Sequence, residues 1–182
     1  GFVSDRVLSA NPGMNTNQIV QSIYTKLNLN EIIIFPSIPE CGGGDWAEIS
    51  RLVKFVDSET VLVSKFPENV PYYNQIEYIA DTLSNTYNDV GRKLKVIRLP
   101  VCPDATGEYA TTQQGEIRSY TSSIILNNTI LIPSYGHPFD AIAYSVYSEL
   151  FAGSQVVQIP SAMLTAMHGS LFRLAAVIPQ PD

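Results

Sequence analysis

The chain has 182 residues, a formal net charge of −6, 45% hydrophobic residues and 15% charged ones. That length suits one domain able to bury roughly two thirds of the surface its unfolded form exposes, so neither metal nor disulfide is required to hold it. The eleven basic residues form no run, which argues against a nucleic-acid groove, and no apolar stretch reaches the roughly 20 residues that cross a bilayer.

The amino-terminal "GFVSDRVLS" reads as a strand remnant, and "NTNQIVQSIYTKLN" as a helix with Ile19, Ile23 and Leu27 in line, closed by the strand "EIIIFP". No basic leader precedes a hydrophobic segment, so no signal peptide is expected; the residues do not name a compartment, and an intracellular, soluble protein is the expectation. The chain begins inside a structural unit, from which an upstream segment is expected. "CGGG" lacks a Lys-Ser/Thr ending and reads as a loop rather than a phosphate cradle.

"RLVKFVDSETVLVSKF" pairs two apolar strands across a polar turn, Asp57 to Glu59. The helix after Pro71 shows Ile76, Ile79, Ala80, Leu83 and Tyr87 on one face, and "LKVIRLP" closes the unit after Gly91. Next, "YTSSIILNNTILIPSYGHPFDAIAYSVYSELFAGSQVVQIP" repeats the order. Asn127 and Asn128 can take positive φ in a hairpin turn. Pro138 suits the first helical position, Phe139, Ile142, Ala143, Val146 and Leu150 form the apolar face, and Gly153 supplies a left-handed stop. The sequon at Asn127 matters only in a secreted protein. A further unit begins at "GSLFRLAAVIP" and stops.

Strand, turn, strand, helix and apolar strand ending in proline therefore recur. Such repeats leave apolar faces that only neighbouring copies cover. The expected fold is α/β, a single domain over residues 1–182 with ββαβ units in a propeller-like arrangement; an ordinary α+β sandwich is the alternative. Cys41 and Cys102 are too few and too far apart for a disulfide framework or a zinc cluster, and two free thiols in loops are expected.

"NPGMNTNQIVQSIYTKL", "KFVDSETVLV", "GRKLKVIRLPVCP", "YTSSIILNNTILIP" and "HGSLFRLAAVIPQP" together resemble the agmatine deiminase and bacterial-type peptidylarginine deiminase family. The resemblance implies a pentein ring of five ββαβ units, of which this chain would hold about the last three. It also implies hydrolysis of a guanidine to a ureido group and ammonia, with no cofactor. In that chemistry a cysteine thiolate attacks the guanidinium carbon, carboxylates hold its nitrogens and a histidine moves protons.

Carried over residue by residue, the family's His-x-Asp falls on Glu48 and Ser50 when aligned without a gap from Lys54 to Asp57. A gapped register would bring Asp45 there instead. The asparagine of the family's "YTNSLI"-like strand corresponds to Ser122, and its final His-Cys pair to Phe172 and Arg173. His168 and His137 read as turn or helix-start residues rather than replacement bases. Glu48, Ser122, His168 and Arg173 are the candidate binding residues, with Arg173 either paired to Glu48 as an internal substrate mimic or turned to solvent from an edge strand.

Three functions compete on these residues. One is a noncatalytic structural or regulatory subunit, completed by a protein partner or a missing amino-terminal portion. Another is an active hydrolase or transferase of guanidine-like substrates with a changed mechanism and Glu48 as general base, against which weighs that glutamate moves protons but supplies no covalent sulfur intermediate. The last is a binding module for a guanidine-like small molecule. None of them calls for nucleic acid or membrane insertion.

Overall fold

In the computed structural model, residues 1–38, 41 and 49–174 are described. Strand β1 (Phe2–Ser4) leads into the short helix α1 (Arg6–Ser9) and then α2 (Thr16–Leu27). A capping box fixes the start of α2: Asn15 accepts from the Gln18 backbone N–H while the Gln18 side chain accepts from that of Asn15. Asn28, left-handed at φ 49°, ends it. Strand β2 (Ile33–Phe35) then pairs parallel to β1.

A 3₁₀ turn at Ile49–Arg51 feeds the hairpin of β3 (Val53–Phe55) and β4 (Thr60–Lys65). The Asp57 carboxylate closes it by accepting from the backbone N–H groups of Glu59 and Thr60. Helix α3 (Tyr73–Ser84) crosses over to β5 (Lys95–Cys102), which lies parallel to β4 from Thr60↔Lys95 to Lys65↔Pro100. The two-residue β6 (Arg118–Ser119) pairs antiparallel to β5.

The pattern then repeats with β7 (Ile124–Leu126), β8 (Thr129–Ser134), α4 (Phe139–Leu150) and β9 (Gln155–Pro160). The parallel β8–β9 ladder runs from Thr129↔Gln155 to Ser134↔Pro160, so in both units the last register pair contains the proline that was read as the end of the closing strand. Helix α5 (Ala162–Ala166) and a 3₁₀ turn at Leu171–Leu174 follow. The fold is thus mixed α/β, with two complete ββαβ units and a third, β1–α2–β2, that has no leading antiparallel strand among the described residues. No described helix is long and apolar enough to cross a membrane.

Strand β4 explains why the units stay together. Alternate residues of a strand face opposite sides: Val61 and Val63 enter one core with Phe35, Ile76, Ile79 and Leu83, while Leu62 enters another with Leu99, Ile130, Ile132 and Tyr147. Each unit therefore covers a face its neighbour would leave wet, as the repeat reading requires.

Several expectations change in detail. Tyr87 lies beyond the end of α3, bridged to Lys93, and is exposed, because the helix stops at Ser84. On α4, Tyr147 is fully buried and Ile142 is about half exposed, because the tyrosine hydroxyl finds partners inside. Pro138 is the N-cap rather than the first helical residue. Of the two turn asparagines only Asn127 has positive φ, 48°. Both cysteines are buried and neither is in a disulfide, but Cys102 ends β5 instead of lying in a loop. The proposed strand over "GSLFRL" is a 3₁₀ turn as far as Leu174, and the residues after it lie outside the described ones.

Burial raises the pKa of Tyr72, Tyr120, Tyr135 and Tyr147 above the ordinary phenol value, with the Asp140 hydrogen bond adding to the shift at Tyr120. Their contribution is complete below the unfolded phenol pKa near 10 and is lost as pH rises above it, where the unfolded chain releases protons that the folded chain retains. In an alkaline titration, phenolate absorbance from these residues is expected to appear together with loss of far-ultraviolet circular dichroism; ionisation well before unfolding would contradict their burial.

Candidate functional site

The candidate site forms around "SYTSS", Ser119 to Ser123, which links β6 to β7. All five residues are buried, and a buried polar segment is tolerated only when its groups find partners. The Tyr135 hydroxyl donates to the Ser119 carbonyl at 3.0 Å. The Tyr147 hydroxyl lies 2.9 Å from the Tyr120 carbonyl and 2.8 Å from Ser123 Oγ. Ser119 Oγ is shared between Ser64 Oγ and Thr121 Oγ1, each at 2.8 Å. Thr121 Oγ1 donates to the Arg51 carbonyl at 2.8 Å.

Helix α4 anchors the same segment from outside. Asp140, in its first turn, accepts from the backbone N–H groups of Tyr135, Gly136 and His137, and from the Tyr120 hydroxyl at 2.6 Å. A carboxylate is well placed there, facing the positive end of the helix and its unpaired N–H groups. His137 Nδ1 accepts from the Phe139 N–H, so this histidine is helix-start structure, as its sequence context suggested.

The turn before β3 carries Ser50 and Arg51. Arg51 is buried, and its guanidinium donates to the His168 carbonyl. His168 follows α5 in the left-handed region, φ 56°, with its N–H bonded to the Thr165 carbonyl and that of Gly169 to the Leu164 carbonyl. This is a Schellman-type stop with His168 in the left-handed position. A side chain at Gly169 would meet the Leu164 carbonyl at 2.9 Å, so glycine is demanded there. His168 Nδ1 is buried with no partner among the described residues.

Lys54 on β3 joins the two halves. Its Nζ donates to the Ser123 carbonyl at 2.7 Å and lies 5.2 Å from the centre of the Phe172 ring. Burial lowers its pKa. The Phe172 ring, where the resemblance implies histidine, therefore faces the ammonium that holds the Ser123 carbonyl, and Arg173, where it implies cysteine, is exposed on the 3₁₀ turn. A second tie comes from Glu116, which holds Arg118 through two oxygens and accepts from Thr165 Oγ1 at 2.6 Å.

Ser50, Ser122, His168 and Arg173 thus sit on segments that these bonds draw together. Glu48 and the alternative Asp45 lie outside the described residues, and with them the pairing of Glu48 to Arg173. The Cys102 thiol lies against the cluster, in hydrogen-bonding reach of Arg118 and Tyr120. Cys41 is buried in the core beside Tyr72. Cys102 donates to the Pro103 carbonyl at 3.2 Å, and burial pushes its pKa up. No group of three or more His, Cys, Asp or Glu able to hold a metal occurs among the described residues. A cavity of about 400 Å³, lined in part by Phe2, Phe55 and Asp57, opens at the turn end of the β3–β4 hairpin, away from these residues.

Lys54, Asp140 and the tyrosines were not singled out in the sequence. Asp140 carried a usable signal, an acid in the first helical turn after "YGHP". Lys54 carried none, because a lysine in a short strand ordinarily reaches solvent.

A family model described as Porphyromonas-type peptidyl-arginine deiminase matches residues 4–179. Agmatine deiminase of Pseudomonas putida is 28% identical over 137 residues, covering 68% of this chain and 37% of that protein. A Shewanella baltica protein, provisionally named an agmatine deiminase, is 26% identical across 93% of this chain and 49% of its own length. Among solved structures, a Porphyromonas gingivalis protein provisionally named an arginine deiminase superposes with TM-score 0.81 at 22% identity, over 94% of this chain and 50% of that one. Agmatine deiminase of C. jejuni superposes with TM-score 0.78 at 19% identity, over 94% and 49%. The chain spans about half the length of, or less than half of, the relatives it matches.

Replacing Thr121 with valine removes a donor to the Arg51 carbonyl and a partner of Ser119, and Tyr147→Phe removes the hydroxyl between Tyr120 and Ser123. Each is expected to cost about 1–3 kcal/mol, the range for stranding buried hydrogen-bonding groups. Urea unfolding of the two variants measures the loss, and wild-type stability in both would refute the proposed role of these bonds.

Proposed function

The chain belongs to the Porphyromonas-type peptidyl-arginine deiminase family, and on that premise we propose that it is a member without cysteine-dependent deimination, serving as a structural, regulatory or ligand-binding component. The observation that carries this reading is the pair Phe172–Arg173. The family's chemistry starts with a sulfur nucleophile and a proton-carrying histidine, and these positions hold a phenyl ring and a guanidinium.

The other positions agree. Ser50 and Ser122 stand where the resemblance implies a carboxylate and an asparagine, and a hydroxyl cannot neutralise a bound guanidinium. The remaining thiols do not substitute, since both are buried and burial disfavours the thiolate of Cys102. Ring closure belongs to the same reading. Three units in a pentein-type propeller would leave faces for an amino-terminal portion or a partner chain, and Met163, Met167 and Leu174 are exposed on α5 and the turn after it.

Relatives named agmatine deiminases favour a second reading, an active guanidine hydrolase with a changed mechanism. It would need Glu48 as proton carrier and a nucleophile other than sulfur. The two readings separate on ammonia. With agmatine or peptidyl-arginine, the purified protein is expected to release no ammonia above a protein-free control, and Arg173→Cys alone is not expected to create activity, because Ser50 and Phe172 remain. Sustained release by the wild type that disappears in Glu48→Ala would overturn the noncatalytic reading.

A further inference from the structure

We propose that the cavity at the turn end of the β3–β4 hairpin binds a small organic cation, an ammonium carried on an apolar body. The proposal concerns residues outside the family's reactive positions and does not depend on whether the chain hydrolyses a guanidine.

Three parts of the chain enclose the cavity: the start of β1 with Ile33 of β2, the β3–β4 turn, and the residues that follow α3. Its volume of about 400 Å³ falls within the roughly 300–1,000 Å³ of small-ligand sites. Leu83 and Leu94 line it from the buried core. Phe2, Phe55 and Tyr87 add aromatic lining, the Phe2 and Phe55 rings packing with centroids 4.7 Å apart. Phe55 and Tyr87 nevertheless remain 42% and 56% exposed, so both keep apolar surface that a ligand would take from water. Tyr87, which the end of α3 keeps off that helix's buried face, is delivered here instead.

The charged lining gives the sign of the ligand. Glu31, Asp57 and Asp89 bring three carboxylates, against one ammonium, that of Gly1, which donates to the Glu31 carbonyl at 2.7 Å. No Lys, Arg or His side chain among the described residues lines the cavity, and the residues outside the described ones include none. The ion pairs among the described residues use other acids, Glu59, Glu77 and Glu116. Of the cations close in sequence, Arg92 is paired with Glu59, while Lys93 bonds Asn85 and lies 5.7 Å from the centre of the Tyr87 ring. A cation entering the cavity would gain from carboxylates and ring faces together, whereas an anion would be repelled. The net charge of −6 draws cations toward the molecule as a whole.

The placing of the acids selects an organic cation over a bare metal ion. They line one cavity, yet no three His, Cys, Asp or Glu among the described residues are grouped so that they could hold a metal. A hard divalent cation wants several oxygens in direct contact. An ammonium needs no such convergence: carboxylates nearby and aromatic faces meet its charge, and the leucines and rings meet its apolar body.

The test titrates the whole chain, isotopically labelled and at constant ionic strength, with benzylammonium, benzyl alcohol, benzoate and calcium chloride in separate experiments. Benzylammonium is expected to shift the backbone amide signals of Phe2, Ser58 and Asn88 saturably. Benzyl alcohol, which keeps the ring and loses the charge, is expected to bind roughly tenfold more weakly, the loss typical of a charged contact. Glu31→Gln combined with Asp89→Asn changes two exposed side chains and is expected to weaken benzylammonium roughly three- to tenfold. Phe55→Leu removes a ring face without touching the charge and is expected to weaken it roughly threefold. No saturable response to benzylammonium, equal affinity for benzyl alcohol or benzoate, calcium binding as tight at the same amides, or an undiminished response in both variants would overturn the proposal.

Discussion

The structure depends on keeping five consecutive buried residues, Ser119 to Ser123, supplied with hydrogen bonds. Four of them carry hydroxyls on Ser or Thr and the fifth is a tyrosine, so their burial between units would be unfavourable without partners from every side. Those partners are Ser64 from β4, Lys54 from β3, Arg51 from the preceding turn, Tyr135 after β8 and Asp140 and Tyr147 from α4. One short segment therefore ties together both complete ββαβ units.

That constraint also fixes the candidate site, because a backbone held at so many points has little freedom to shift. The carboxy-terminal turn reaches the segment through Lys54 and the Phe172 ring, while Arg51 binds the carbonyl of His168.

How much of this was legible beforehand varied with how local the cause was. Helix α2 was written in its own residues, with Asn15 and Gln18 as caps, and the Asn127 hairpin and the helix after Pro71 were equally local. Tyr87 was misplaced because apolar periodicity carries on past a helix end that backbone hydrogen bonds set. Tyr147 was passed over because the sequence does not say that two partners, Tyr120 and Ser123, wait for its hydroxyl across 24 residues or more. The "LFRL" strand failed for a similar reason, since four apolar-rich residues suit a turn or a strand until neighbours decide.

Sequence alone determined the repeated strand–turn–strand–helix–strand order and the identity of the residues at the family's reactive positions, because both are carried by local pattern and by residue type. Tertiary structure decided which segments are bonded to one another and which polar groups are buried. Lys54 shows the reason: whether an ammonium is solvated, or partly buried against a carbonyl and an aromatic ring, depends on residues 69 and more positions away, and no spacing along the chain encodes that contact.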